Sequence, residues 1–303
     1  MPSGTAIRPS RAGPVSEYPA NRREGATAWA CGPTDGAGDG LVVGVVTALT
    51  LVVAAAGGPT REDGGVRVLQ MNLCDSGLAR CYTGRSVSQA SDVIRAEVPD
   101  VVTVNEVCRD DVPVLEDALG DAGGDGVVVS AFQAAWDRRT GASVRCRNGR
   151  PYGIALVARL PSPDYEAVGG AYPMQDPGSV ELRAWLCLHP RAATPTAVTV
   201  CTTHLASGSA AAAGAQCGYL VGTAIPAVRA RAGAVPVILG GDLNLRSDDP
   251  STRCLPAGHR TDDGQVQHVV ATPELVVGTP RTIAMPATDH PGLLVVLTRE
   301  GRP

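Results

Sequence analysis

The sequence predicts an α/β domain whose strands deliver polar side chains to one edge of a sheet. Three observations carry this. From Val66 onward, apolar runs of strand length alternate with a loop and segments of helical spacing. Those runs are bounded by Gly, Pro, Asn or Asp, the residues that end strands and form turns. Several of them also stop on a residue able to hold a cation or move a proton: VRVLQMN at Asn72, PDVVTVNE at Glu106 and AVTVCTTH at His204.

The N-terminal region precedes this pattern. Residues 1–40 are rich in Gly, Pro, Ala and Arg, lack an apolar period, and are expected to be disordered. Leu41 to Ala56, LVVGVVTALTLVVAAA, then runs 16 residues without a charge. That is short of the roughly 20 residues of a membrane span but suits the h-region of a signal peptide, with Ala54, Ala55 and Ala56 as small residues for cleavage. The long stretch ahead of it exceeds a normal n-region. Residues 41–58 therefore read either as a signal peptide whose true start lies further downstream, or as a membrane anchor with the domain outside. The domain itself is placed at 60–303.

Composition narrows the class. An apolar share of 44% and a charged share of 18% describe a soluble globular chain with an ample core. The net charge is −4, so no global field recruits a polyanion, and all 26 basic residues are arginine. Of nine cysteines, Cys31 precedes the domain; the other eight form no CxxC and no zinc spacing. An even, scattered set points to disulfides and an oxidising compartment. Cys74–Cys81 would close a short loop, and Cys187–Cys201 would join neighbouring strands. Cys108–Cys146 and Cys217–Cys254 complete the scheme without a local argument.

The elements follow in order. Val66 to Met71 is a strand ending at Asn72, and the loop Leu73 to Arg85 carries two cysteines. Ser86 to Glu97 has helical spacing with Val93 and Ile94 inward, and Pro99 stops it. Val101 to Val104 is a buried strand ending at Asn105 and Glu106, Val112 to Leu119 a short helix, and Val127 to Phe132 a strand. Ile154 to Ala158, Leu182 to Leu188 and Ala197 to Thr203 are further strands. Ser209 to Ala232 reads as helix interrupted by Pro226. The stretch VPVILGGDLNL, Val235 to Leu245, is a strand expected to stop at a Gly240-Gly241 turn, followed at once by Asp242 and Asn244. Val266 to Ala271 and Leu293 to Thr298 finish the sheet-forming set. Asp289 and His290 precede the last strand; if it runs antiparallel, they join the other polar ends at one edge.

Glu, Asp, Asn and two His gathered in this way suit hard-cation binding and acid/base chemistry. Singly, each has a plain structural role as a turn former, a cap or a core histidine. Together, and in the order QMN, NEV, THL, GDLN and TDHPG, they resemble the endonuclease/exonuclease/phosphatase superfamily with its deoxyribonuclease-I-like fold. The resemblance covers about Val66 to Thr298. It implies a four-layer sandwich, two mixed β-sheets face to face with helices outside, and divalent-metal-dependent cleavage of phosphoester bonds. The implied metal is Mg²⁺, with Mn²⁺ or Ca²⁺ as alternatives.

Carried over by position, the resemblance makes Glu106 the main metal ligand, with Asn72 and Asp289 near the ion. Asp242 would orient or deprotonate water, Asn244 would hold a phosphate oxygen, and His204 and His290 would contact the phosphoryl group. Arg109 and Tyr152 are candidates for substrate phosphate contact. Where relatives commonly place an acid that supports the second histidine, this chain has Gln267 and His268. Gln267 is then the candidate support for His290, with Asp262 or Asp263 supplying charge. Arg138, Arg139, Arg145, Arg147 and Arg150 crowd one loop, which is either a polyanion contact or a solvated surface.

The reading is a secreted, monomeric, Mg²⁺-dependent phosphodiesterase acting on a phosphoester, nucleic acid foremost. Alternatives are a phospholipase C or sphingomyelinase-like enzyme, a sugar or inositol phosphate phosphatase, and, from another class, a non-catalytic binding or toxin-subunit module.

Overall fold

The computed structural model describes residues 65–299; the expected disordered segment 1–40, the apolar segment 41–58 and Cys31 lie outside the described residues. In chain order the strands are β1 (Val66–Asn72), β2 (Val101–Cys108), β3 (Val127–Ala134), β4 (Trp136–Asp137), β5 (Tyr152–Leu160), β6 (Tyr165–Ala171), β7 (Glu181–Leu182) and β8 (Ala184–Pro190). There follow β9 (Thr199–His204), β10 (Val237–Asp242), β11 (Arg260–Asp262), β12 (Gln267–Ala271), β13 (Leu275–Val277), β14 (Arg281–Ile283) and β15 (Gly292–Arg299). The helices are α1 (Ser86–Glu97), α2 (Val112–Asp121), α3 (Ala210–Tyr219) and α4 (Ile225–Arg231).

Two parallel strand pairs organise two mixed sheets. In the first, β1 lies parallel to β2 with α1 crossing between them, and β15 and β5 flank the pair antiparallel, in the order β13-β15-β1-β2-β5-β3. In the second, β9 lies parallel to β10, and α3 and α4 make the crossover, in the order β11-β12-β10-β9-β8-β6. Parallel neighbours need such a crossover because the chain must return to the starting edge.

The core falls into three slabs that define four layers. Between the sheets, Val68, Leu156, Val295 and Leu297 of the first meet Leu186, Val200, Ile238 and Val269 of the second. Outside the first sheet, Leu69, Met71, Val102 and Val104 pack on Ile94 of α1 and Leu115 and Leu119 of α2. Outside the second, Cys187, Cys201 and Leu239 pack on Ala213, Cys217 and Leu220. Period-2 alternation sends neighbouring residues of one strand into different slabs, as Val68 and Leu69 show. This is the helix–sheet–sheet–helix sandwich the resemblance implied.

Helix α1 has the expected bounds and ends on Val98 in the left-handed region, one residue before Pro99. The helix through Pro226 is continuous rather than broken. Leu220–Ala224 widens into a π turn, and α4 resumes with Pro226 in its first turn, where a missing N–H is harmless. All four disulfides have the expected pairing: Cys74–Cys81, Cys108–Cys146, Cys187–Cys201 and Cys217–Cys254.

Two local expectations are corrected. Gly240 and Gly241 are not a turn but the buried end of β10. A Cβ on Gly240 would collide with Thr103 of the facing sheet, and one on Gly241 with the Thr203 carbonyl of β9. The pair is there for close approach. Strand β2 does not stop at Asn105 and Glu106 either. It continues to Cys108 through a bulge at Glu106, whose φ is +56°.

Candidate active site at the joined strand ends

The register brings the polar ends together. Asn72 stands opposite Asn105 across the β1–β2 pair, and Asp242 lies between His204 on β9 and Gln267 on β12. Strand β15 is antiparallel to β1, with Leu293 opposite Gln70, so Asp289 and His290 enter from the same edge. Asn72, Glu106, His204, Asp242 and His290 form one connected cluster.

Asn72 is its hinge. Its Nδ2 donates to Glu106 Oε1 (3.1 Å) and to Asp242 Oδ2 (3.0 Å), while Oδ1 accepts from the Cys74 N–H (3.1 Å). One amide thus ties the acids of the two sheets. His204 Nε2 lies 3.9 Å from both Glu106 Oε1 and Asp242 Oδ2. His290 Nε2 lies 3.8 Å from Asp242 Oδ2 and 3.8 Å from Asp289 Oδ1. Asp242 Oδ1 accepts from the Asn244 N–H (3.0 Å), and Asn244 Nδ2 gives one hydrogen to the Leu205 carbonyl (3.0 Å). Asn244 is left-handed, φ +50°, a conformation asparagine tolerates. Asp289 is the exposed member, carried by a segment in which Thr288 Oγ1 donates to the Asn72 carbonyl (2.9 Å).

Burial shapes the charges. Desolvation pushes Glu106 and Asp242 above the usual carboxylate range; Asn72 and nearby positive groups offset it only partly. His204 is held well below the usual imidazole value by burial first, then by Arg183 and His290. Tyr152 is buried and raised far above its usual value, first by desolvation and then by the charges of Glu181 and Glu106; it also hydrogen-bonds Glu106. Buried Asp242, partly buried Glu106 and exposed Asp289 offer the carboxylate oxygens a hard divalent cation prefers, while Asn72 turns its amide nitrogen to the first two and its oxygen to the Cys74 N–H. Glu106 and Asp289 could hold such an ion, and Asn72 could join them by releasing its oxygen from the Cys74 N–H.

Beneath the cluster, buried amides lock the sheets. Gln70 Nε2 donates to Asn105 Oδ1 (2.7 Å) and Gln267 Oε1 (3.2 Å). Asn105 Nδ2 donates to the Thr203 carbonyl (2.9 Å), and Asn105 Oδ1 accepts from the Asp242 N–H (2.7 Å). Gln267 Nε2 donates to the Pro291 carbonyl. Gln267 therefore holds the chain just after His290, not the imidazole itself. Nor do Asp262 and Asp263 supply charge to His290. Asp262 faces His268 Nδ1 at 4.0 Å, and Asp263 accepts from the Gln267 N–H (3.2 Å); the acids facing His290 are Asp242 and Asp289. His268 Nε2 donates to the Leu245 carbonyl (2.7 Å), bracing the turn that carries Asn244.

Arg109 packs beside an aromatic ring. Its guanidinium lies 5.5 Å from the centroid of Phe132, which packs with the slab on the helix side of the first sheet. The residue that sequence reasoning missed is Arg183, 8% exposed, whose Nη1 donates to Glu181 Oε1 (2.7 Å) and His204 Nδ1 (2.9 Å). Glu181, Arg183, Tyr152 and His204 line one cleft. The signal was available in ELRAWLCL, where two charges at i and i+2 precede a buried strand.

The fold is shared with solved structures of endonuclease/exonuclease/phosphatase proteins. One, from Beutenbergia cavernae, is 24% identical, with 79% of this chain and 73% of that one covered and a TM-score of 0.58. The catalytic domain of human nocturnin, solved with a bound sulfate, is 16% identical over 78% of this chain and 94% of that one, TM-score 0.57. A mannosyl-6-phosphatase from Bacteroides thetaiotaomicron is 13% identical over 77% and 99%, TM-score 0.52. No family model and no curated protein sequence matches the chain.

Proposed function

We propose that the domain is a secreted, divalent-metal-dependent phosphodiesterase of the endonuclease/exonuclease/phosphatase superfamily, acting on nucleic acid. The observation that carries this reading is the convergence on Asp242 Oδ2. His204, His290 and Asn72, delivered by three different strand ends or loops, all lie within 4 Å of that one oxygen. Such a constellation hydrolyses a phosphoester without a covalent intermediate, since no serine or cysteine nucleophile belongs to it. Asp242, whose raised pKa makes it a better base than an exposed aspartate, accepts a proton from water as the water oxygen bonds to phosphorus and the bond to the leaving oxygen breaks. His204 and His290 donate hydrogen bonds to the phosphoryl oxygens, where negative charge builds. Glu106 and Asp289, joined by Asn72 if its oxygen leaves the Cys74 N–H, would hold Mg²⁺, which would add positive charge there.

Nucleic acid is favoured by the arginine loop between β3 and β5. Cys146 of that loop is bonded to Cys108, two residues beyond Glu106, so exposed Arg145, Arg147 and Arg150 are tethered close to the site. A second reading, a phospholipid substrate, draws on the exposed apolar side chains Leu78, Trp136 of β4 and Val180. Secretion is supported by four disulfides, which persist in oxidising compartments.

A panel of plasmid DNA, RNA, sphingomyelin and bis-p-nitrophenyl phosphate, each with Mg²⁺ or with EDTA, tests substrate class. The expected outcome is Mg²⁺-dependent cleavage of a nucleic acid and of the small diester. Cleavage of sphingomyelin with both nucleic acids left intact would replace the nuclease reading by the lipid one.

A further inference from the structure

Arg183 is placed where an acid would do the opposite job. Its Nη1 donates to His204 Nδ1 (2.9 Å) and to Glu181 Oε1 (2.7 Å), and its Nη2 donates to Ser207 Oγ (3.3 Å). A guanidinium has N–H donors and no acceptor, and it stays charged in proteins. His204 Nδ1 must therefore accept, so it carries no proton, and the proton of the neutral ring sits on Nε2. That Nε2 is the atom turned toward Glu106 and Asp242.

We propose that Arg183, clamped by Glu181, is a positioning residue that fixes His204 as a neutral donor whose Nε2–H points at the phosphoryl position. The last clause rests on the phosphoesterase reading; the fixing of the ring does not. A carboxylate at Nδ1 would favour the Nδ1–H form and the imidazolium, leaving Nε2 bare in the neutral ring. The guanidinium reverses this, so His204 meets the substrate with a hydrogen and without acting as a base. His290 differs: its Nε2 faces two acids, Asp242 and Asp289. The two histidines thereby have different surroundings.

Glu181 explains why a charged group can be kept there. Arg183 is nearly buried, and a buried cation without a partner is strongly unfavourable. Glu181, 2.7 Å away and on the same short segment, compensates it and aims it. Three of the guanidinium's five N–H donors are committed to Glu181, His204 and Ser207, and the two on Nη1 fix it against the ring, through which it acts. Its loss should then fall on kcat more than on KM.

The test begins with metal-free, ¹⁵N-histidine-labelled protein. Two-bond ¹H–¹⁵N correlation reports which ring nitrogen carries the proton, and His204→Gln assigns the resonance. The wild type is expected to show a bare Nδ1 and a protonated Nε2 at His204. Arg183→Lys, whose ammonium is also donor-only, should keep that tautomer; Arg183→Gln, which can turn a carbonyl toward Nδ1, should populate the Nδ1–H form. On bis-p-nitrophenyl phosphate with Mg²⁺, Arg183→Gln should lose roughly a hundredfold in kcat with KM nearly unchanged, as removal of one transition-state donor does, and Arg183→Lys should recover most of it. A protonated Nδ1 in the wild type overturns the proposal. So does an Arg183→Gln variant that melts lower yet keeps the wild-type tautomer, since Arg183 would then be structural only. The expected tautomers in a protein inert toward every phosphoester would uphold the fixing of the ring and overturn the phosphoesterase reading instead.

Discussion

Glu106 sits in a strained backbone conformation, in a bulge, and in surroundings that resist its charge. Each feature costs stability, and a left-handed non-glycine residue alone costs of order 1–3 kcal/mol. Its carboxyl pKa is raised, so the folded state holds the proton more tightly than the unfolded chain does. The metal-free protein should therefore lose stability as pH rises from the unfolded value toward the raised one, and stay lower above it. Glu106→Gln removes the charge while keeping the acceptor for Asn72 Nδ2, and its new N–H can donate to the Tyr152 hydroxyl. In EDTA at pH 8 this variant should melt a few degrees above the wild type, about 2–4 °C per kcal/mol for a domain of this size, and at pH 4 it should show no advantage. A lower melting temperature at pH 8 would mean that the acid is structurally required rather than held against its preference. The chemistry-bearing residues could be read from the sequence because each ends an apolar run or precedes one. Gln70 and Asn105 could not: an amide inside a strand reads as an interruption until the facing sheet supplies its partner.

At the scale of elements, the loop after β1 is tied to the turn before α2 by a pair of acids. Asp75 accepts from Ser86 Oγ (3.1 Å) and shares a hydrogen bond with Asp111, whose carboxyl is pushed up to about 7 by desolvation first and then by Asp75 itself. Both pKa values are raised, so the shared proton stabilises the fold at low pH and is lost as pH rises through about 7. The groups are half-exposed, and solvent screening reduces the effect to the order of 1 kcal/mol. Asp111→Asn keeps a donor for Asp75 at every pH, so its melting temperature should fall less than the wild type's between pH 5.5 and 8.5. Parallel melting curves for the two proteins would contradict this. Among elements, α1 was legible to the residue because its apolar spacing and Pro99 agree. Strand β6, YEAVGGA, was not: it is an edge strand in which glycines and exposed positions erase the alternation. The Gly240-Gly241 pair misled for a related reason. Glycine marks a turn or a close approach equally well, and only Thr103 on the opposite sheet decides between them.

For the whole molecule, the site exists because two parallel pairs end at one edge. Each sheet contributes one pair, β1–β2 or β9–β10, and facing the sheets brings Asn72 and Glu106 onto His204 and Asp242. Periodicity located these strands but could not order them; the sandwich was legible only through the resemblance of QMN, NEV, THL, GDLN and TDHPG taken together. Of the cysteine scheme, Cys74–Cys81 and Cys187–Cys201 were legible, whereas Cys108–Cys146 and Cys217–Cys254 join segments that only the tertiary fold makes neighbours. The central claim is that this edge is a divalent-metal phosphoesterase site built on Glu106. Its most direct test is the hydrolysis rate of bis-p-nitrophenyl phosphate by wild type and Glu106→Gln at equal folded concentration, with Mg²⁺ and again in EDTA. The account predicts turnover by the wild type with Mg²⁺ alone, and a loss of at least about a hundredfold in EDTA or on substitution. Undiminished turnover in EDTA, or by a folded Glu106→Gln protein, would contradict it.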